Sequence, residues 1–266
     1  MDDTKPHSLT RWRDISSDPN SPAVMEWRRQ ALSLARATTL VADRRDYICR
    51  LAVGKRVLDI GVVEHTATAT RGPNWLHERL CRVSKTCLGV DVLGAEINQL
   101  RERGYNVLCA DITAEPLPGT FDLIVCGEIL EHLDQPGRLF ANIARMLEPD
   151  GTVLLTTPNP WYLNVVLRNV LAGVPFSDSA DHVAWYDPAT LCELAARHDL
   201  RLTRFSGVAV EFARTSLGKL ILRSHSMWVR LGFRRELFAK TLIYEFALVA
   251  EAAGTRPSLR VTQNRS

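Results

Sequence analysis

The chain has 266 residues, 46% hydrophobic and 24% charged, with a formal net charge of +3. That length suits one large α/β domain, or a domain with a small appendage. The composition is that of an ordinary soluble globular protein, and so slight a charge argues against nucleic acid as a partner. The six cysteines, Cys49, Cys81, Cys87, Cys109, Cys126 and Cys192, show no Cys-x-x-Cys pair and no zinc spacing. Several sit inside apolar runs, as small buried residues of a reducing compartment. The amino terminus lacks an apolar signal region, and no run of about 18 apolar residues is present. A cytoplasmic protein without a spanning helix is therefore expected.

In chain order, residues 1–21 are polar and proline-flanked, an expected loose arm, and 22–52 read as helix through Val24, Trp27, Leu32, Leu40, Tyr47, Ile48 and Leu51. Strand-like runs then alternate with helical ones. Arg56–Ile60, Thr86–Asp91, Asn106–Asp111, Phe121–Cys126 and Thr152–Thr157 are the strands; about 74–83, 95–103 and 138–146 are the helices. A further helix over 188–198 and two closing strands, 201–208 and 241–249, complete the pattern. Such alternation predicts βαβ units and an α/β fold: a doubly wound, mostly parallel seven-stranded sheet. Residues 158–187 follow the fifth strand on the side where open sheets bind ligands, an expected lid. Residues 212–240 interleave Arg214, Lys219, Arg223, Arg230, Arg234, Arg235 and Lys240 with apolar residues. That basic helical insert most often presents a solvated face.

Acidic residues close three successive strands: Asp59, Asp91 and Asp111. In a doubly wound sheet these ends line one crevice, where the second acid suits a ribose and the third an adenine amino group. Gly61 allows close backbone approach. A dinucleotide site is disfavoured, because Gly61-Val62-Val63-Glu64-His65 lacks the Gly-x-Gly-x-x-Gly that seats a pyrophosphate.

Glu128, Glu131 and His132 follow the fourth strand at i, i+3 and i+4, predicting one face of one helical turn. Two carboxylates and an imidazole at a sheet edge call for a cation between them. With His182 as a fourth ligand, oxygen and imidazole donors suit Mg²⁺, Mn²⁺ or Fe²⁺.

Over about residues 54–206 the chain resembles the class I S-adenosylmethionine-dependent methyltransferases. Val57-Leu58-Asp59-Ile60-Gly61 is similar to their first motif, Gly89-Val90-Asp91 to their ribose acid, Ala110-Asp111-Ile112 to their adenine-side acid, and Leu147-Glu148-Pro149-Asp150-Gly151-Thr152 to the turn before their fifth strand. The resemblance implies S-adenosylmethionine as methyl donor, held by Asp59, Gly61, Val62, Asp91, Val92, Asp111, Ile112 and Gly127. Glu-x-x-Glu-His with a distant His resembles the site of the small-RNA 3′-terminal 2′-O-methyltransferases and of the ubiquinone-pathway O-methyltransferases. It implies Glu128, Glu131, His132 and His182 around a divalent metal, Mg²⁺ or Mn²⁺, with His132, His182 and Glu131 as the catalytic groups.

The expectation is a metal-assisted O-methyltransferase for a vicinal diol, a small-molecule or saccharide acceptor with sugar as the leading class. Quinone-precursor catechols and an RNA 2′-hydroxyl are alternatives, a non-catalytic S-adenosylmethionine-binding module is the rival, and a homodimer is left open. The expected organisation is an arm with helices over 1–52, the methyltransferase domain over 53–251 and a tail over 252–266.

Overall fold

The computed structural model describes residues 12–36, 39–63, 74–173, 179–208, 220, 224 and 227–249. Its centre is a sheet of eight strands: β1 (Thr39–Val41), β2 (Arg56–Ile60), β3 (Thr86–Asp91), β4 (Val107–Cys109), β5 (Phe121–Gly127), β6 (Leu147–Pro158), β7 (Leu200–Val208) and β8 (Thr241–Leu248). They lie in the order β1-β7-β8-β6-β5-β2-β3-β4. Only β8 runs against its neighbours, wedged antiparallel between β6 and β7. The chain proceeds from β2 outward to β3 and β4, then returns to place β5 on the other side of β2. That reversal opens a crevice at the carboxyl ends of β2 and β5.

Both faces of the sheet are buried, so its strands read as nearly continuous apolar runs. Leu58, Ile60, Ile124, Cys126, Val153 and Leu155 point into one core with Leu139, Phe140 and Ile143 of α6 (Pro136–Met146). The alternate residues Val57, Leu123, Val125 and Leu154 meet Tyr47, Ile48 and Ala52 of α3 (Arg44–Ala52) on the other face. Helix starts follow local chemistry. Asp43 caps α3 by accepting from the Asp46 amide at 2.8 Å, and Pro136 opens α6. Asp187 forms a capping box with Thr190 at the head of α8 (Pro188–Ala196).

One expectation changes. Residues 22–52 are not helix throughout: α2 (Pro22–Arg36) and α3 are separated by β1, which pairs in parallel with β7 as the eighth strand. Leu40, an apolar residue assigned to a helix face, packs instead against the main core. Residues 158–187 contain a helix, α7 (Leu163–Ala172), closed by Gly173 at φ +67, where a left-handed residue ends the turn. Of the basic insert, Arg214, Lys219 and Arg223 fall outside the described residues, as do 1–11 and 250–266. No helix among the described residues is long and apolar enough to cross a membrane.

Candidate active site

A cleft of about 670 Å³ opens at the carboxyl ends of β2, β3 and β5, a size that suits a small-molecule site. Every residue expected to hold cofactor or metal lines it: Asp59, Gly61, Val62, Asp91, Val92, Asp111, Ile112, Gly127, Glu128, Glu131, His132 and His182.

The cofactor end is fixed by the chain's own backbone. Gly61 sits at φ +81, and a Cβ there would run into the Ile129 side chain, so both conformation and space require glycine. Without a second glycine, the loop is pinned by other groups. Asp91 accepts from the Val63 amide at 2.9 Å and the Leu93 amide at 3.1 Å, while the buried Trp75 indole donates to the Val62 carbonyl at 2.9 Å. Asp111 accepts from both the amide and hydroxyl of Thr113, at 2.8 and 2.7 Å. Those bonds, the hydroxyl's first, hold its carboxyl below the usual range. Asp59 is deeper than the other two and engages the ring of His77 at 3.0 Å.

The acceptor end is assembled across the fold. Only Leu130–His132 form a turn, of 3₁₀ type, and Glu128 stands apart from it at φ +56. The expected single helical face over Glu128, Glu131 and His132 therefore does not form. The Glu128 amide donates to the Thr156 carbonyl at 3.0 Å, extending the sheet ladder, so the chain must turn sharply after it, in a conformation rare outside glycine. The Glu128 carboxylate lies 3.1 Å from Arg44 of α3, an ion pair by distance though not aligned as a hydrogen bond. Arg44 also donates to Thr156 Oγ1 at 3.1 Å.

Glu131 is 2% exposed. Its Oε2 accepts from Thr157 at 3.1 Å, while Oε1 is buried without a hydrogen-bond partner among the described residues. Burial, reinforced by the charge of Glu128, pushes its carboxyl up to about 7. The lid segment docks on the same residue: the Val183 and Ala184 amides donate to the Glu131 carbonyl at 2.8 and 3.3 Å. This brings His182 edge-on to His132, with ring centroids 4.8 Å apart. Asp181 lies 3.1 Å from Nδ1 of His132, leaving Nε2 as the ring atom for a proton or a ligand. Donor atoms of Glu131, His132 and His182 all fall within 4.8 Å of one another, whereas Glu128 is outside that group.

Two residues of this region escape a sequence reading. Arg44 carries no motif, and its role arises only because α3 packs beside β5 and β6. His77 lies in no motif and is buried against Asp59; its i, i+4 spacing with Cys81 was the available signal.

A family model described as a methyltransferase domain matches residues 27–204. The ubiquinone biosynthesis O-methyltransferase of Dechloromonas aromatica is 28% identical over 229 residues, covering 79% of this chain and 87% of that protein. Its namesake from Aeromonas salmonicida is 28% identical over 159 residues, covering 58% of this chain and 66% of that one. A solved S-adenosylmethionine-dependent methyltransferase from Clostridium acetobutylicum shares the fold at TM-score 0.51 and 15% identity, covering 85% of this chain and 99% of that chain. With the strand-end acids around one cleft, these likenesses settle the family. The chain belongs to the methyltransferase domain family: it is a class I S-adenosylmethionine-dependent methyltransferase.

Proposed function

We propose that the enzyme methylates one hydroxyl of a vicinal pair on a catechol-like ring, assisted by a divalent cation at Glu131, His132 and His182. The observation that carries this reading is the convergence of one buried carboxylate and two imidazoles at the acceptor end of the cofactor cleft. Relatives named for ubiquinone biosynthesis favour a quinone-precursor catechol over the sugar expected from sequence. The two acceptors share the neighbouring hydroxyls that such a site would recognise.

The donor set fits a cation. A buried carboxylate with a bare oxygen is costly unless a positive charge meets it, and two imidazoles beside one carboxylate suit Mn²⁺ or Fe²⁺ better than Mg²⁺. Glu128 would join as a fourth ligand by leaving Arg44. When bound, the cation supplies Lewis acidity, lowering the pKa of an acceptor hydroxyl.

The chain's own residues do the remainder. Asp91 and Asp111 would hold the ribose and adenine of S-adenosylmethionine, and Asp59 with the backbone at Gly61, Val62 and Gly127 its methionine portion. Val92, 63% exposed in the cleft wall, and Ile112 offer apolar surface to the base. Attack by the hydroxyl oxygen on the methyl carbon expels the neutral thioether, and the hydroxyl proton leaves to water, since His132 and His182 would be occupied as ligands; without a cation either imidazole could take it. The lid over 158–187 would hold the acceptor in line with the methyl group and exclude water.

The test is transfer from labelled S-adenosylmethionine to a panel of catechols and sugars, with chelator and with Mn²⁺ restored. Chelator-sensitive methylation of a catechol is expected. Full activity in excess chelator would refute the cation, and sugar-only transfer the ring.

A further inference from the structure

Beneath the cofactor end lies a second group of donors that methyl transfer does not use. His77, on α4 (Leu76–Val83), is 1% exposed. Cys81 stands one turn further along the same helix, its Sγ 3.5 Å from His77 Nε2. Cys87 reaches in from β3, its Sγ 3.8 Å from Nδ1 of the same ring. Donor atoms of the three residues lie within 4.8 Å of one another. The Cys81–Nε2 distance is that of neighbouring ligands on a tetrahedral ion, because zinc–sulfur and zinc–nitrogen bonds of about 2.3 and 2.0 Å put such atoms roughly 3.5 Å apart; Cys87 would have to draw in slightly. On the far side of the ring, Nδ1 lies 3.0 Å from Asp59 Oδ2. A carboxylate on Nδ1, with the Cys81 sulfur at Nε2, is the arrangement that orients a metal-binding histidine.

We propose that His77, Cys81 and Cys87 form a binding site for a soft divalent cation of the zinc type, with Asp59 orienting the histidine. The proton balance favours it. Entry of one dication displaces the thiol protons of Cys81 and Cys87, so two protons leave, two thiolate–metal bonds form, and the buried cluster gains no net charge. That removes the usual obstacle to burying an ion. Cys81 reaches the surface and provides the way in, and the fourth tetrahedral position is left to water. Since Asp59 ends β2 beside Gly61 and His77 lines the cleft, a bound ion would stiffen the floor on which S-adenosylmethionine rests.

The experiment is titration of the reduced, metal-stripped full chain with Co²⁺. One equivalent should bind with thiolate-to-cobalt charge-transfer absorption, release about two protons in weak buffer near neutral pH, and yield to Zn²⁺. Cys81→Ser and Cys87→Ser should each abolish that absorption, and circular dichroism should show the surface variant Cys81→Ser folded. Asp59→Asn should weaken binding about 10–100-fold. His132→Ala should leave the band intact, because the acceptor end contains no sulfur, so failure here is distinguishable from failure of the proposed function. Absence of the band, its survival in both serine variants, or a Cys81–Cys87 disulfide in place of metal in freshly purified protein would overturn the proposal.

Discussion

The two ends of the cleft are built by different means. At the cofactor end, Asp91 and Asp111 make their bonds to groups of their own strand-end turns or of the loop after β2, Asp91 to Val63 and Leu93, Asp111 to Thr113. At the acceptor end, Glu131 leans on Thr157 of β6, Glu128 pairs with Arg44 of α3, and His132 meets His182 of the lid. One end is set by backbone geometry close to the sheet, the other by side chains that only the folded chain unites. The first should therefore tolerate little change and vary little, whereas the second can be retuned by any of several distant elements.

The sharpest way to break this contrast is to remove acceptor-end groups. Glu131→Ala and His132→Ala should each lower methyl transfer by roughly 10²–10⁴-fold, the scale of a positioned acid–base group. Binding of S-adenosylmethionine by calorimetry should stay near wild type; a matching loss of cofactor affinity would mean the two ends are one unit. Next in size is the cost of the buried charge. The difference between about 7 and the ordinary 4.5 for Glu131 corresponds to roughly 3 kcal/mol. Because the folded-state value is raised, the neutral form is favoured at low pH and stability is lost as pH rises through about 7. Metal-free Glu131→Gln should therefore be more stable than wild type above that pH and little different below about 4.5, as read from denaturant midpoints. Added Mn²⁺ should stabilise wild type increasingly over the same rise and leave the Gln variant almost unmoved.

Asp91→Ala tests the other end. It should weaken S-adenosylmethionine binding by roughly 1.5–3 kcal/mol, since a charged acceptor is lost and the loop at Val63 is released. Calorimetry showing unchanged affinity in a folded variant would remove its ribose role. Arg44→Gln is subtler. Loss of the nearby cation should move the Glu131 titration upward, so that in denaturant midpoints of the metal-free variant the loss of stability with rising pH is shifted to higher pH. Smallest of all is the lid: the Val183 and Ala184 amides should exchange measurably faster in the ligand-free protein than with cofactor and acceptor bound. Full protection in both states would make the segment a fixed wall.

Much of the cofactor end was legible because strands and their terminal acids are local patterns. Val57–Gly61 and Gly89–Asp91 declare strand, turn and carboxylate within a few residues. At the acceptor end the sequence suggested candidate residues but not their arrangement. Glu131 and His132 were picked out and the fold sets both on one cleft, yet the even helical spacing that drew in Glu128 fails, because Glu128 still belongs to the ladder of β5 and β6 through its amide bond to Thr156. β1 was hidden by its length: three residues between two helices carry no alternation to detect. Arg44 and the pairing of Asp59 with His77 depend on packing between segments distant in sequence, and no window along the chain holds both partners.

The ion pair between Arg44 and Glu128 bears on how the protein can be trimmed. A cut at residue 53, where the sequence suggested the catalytic unit begins, would discard β1 and all of α3. The remaining fragment would expose the apolar face that Tyr47, Ile48 and Ala52 cover, and would strand Glu128 beside Glu131 with its countercharge gone. What looks along the sequence like a detachable preface is thus half of a clasp, and any minimal active fragment must start ahead of Thr39.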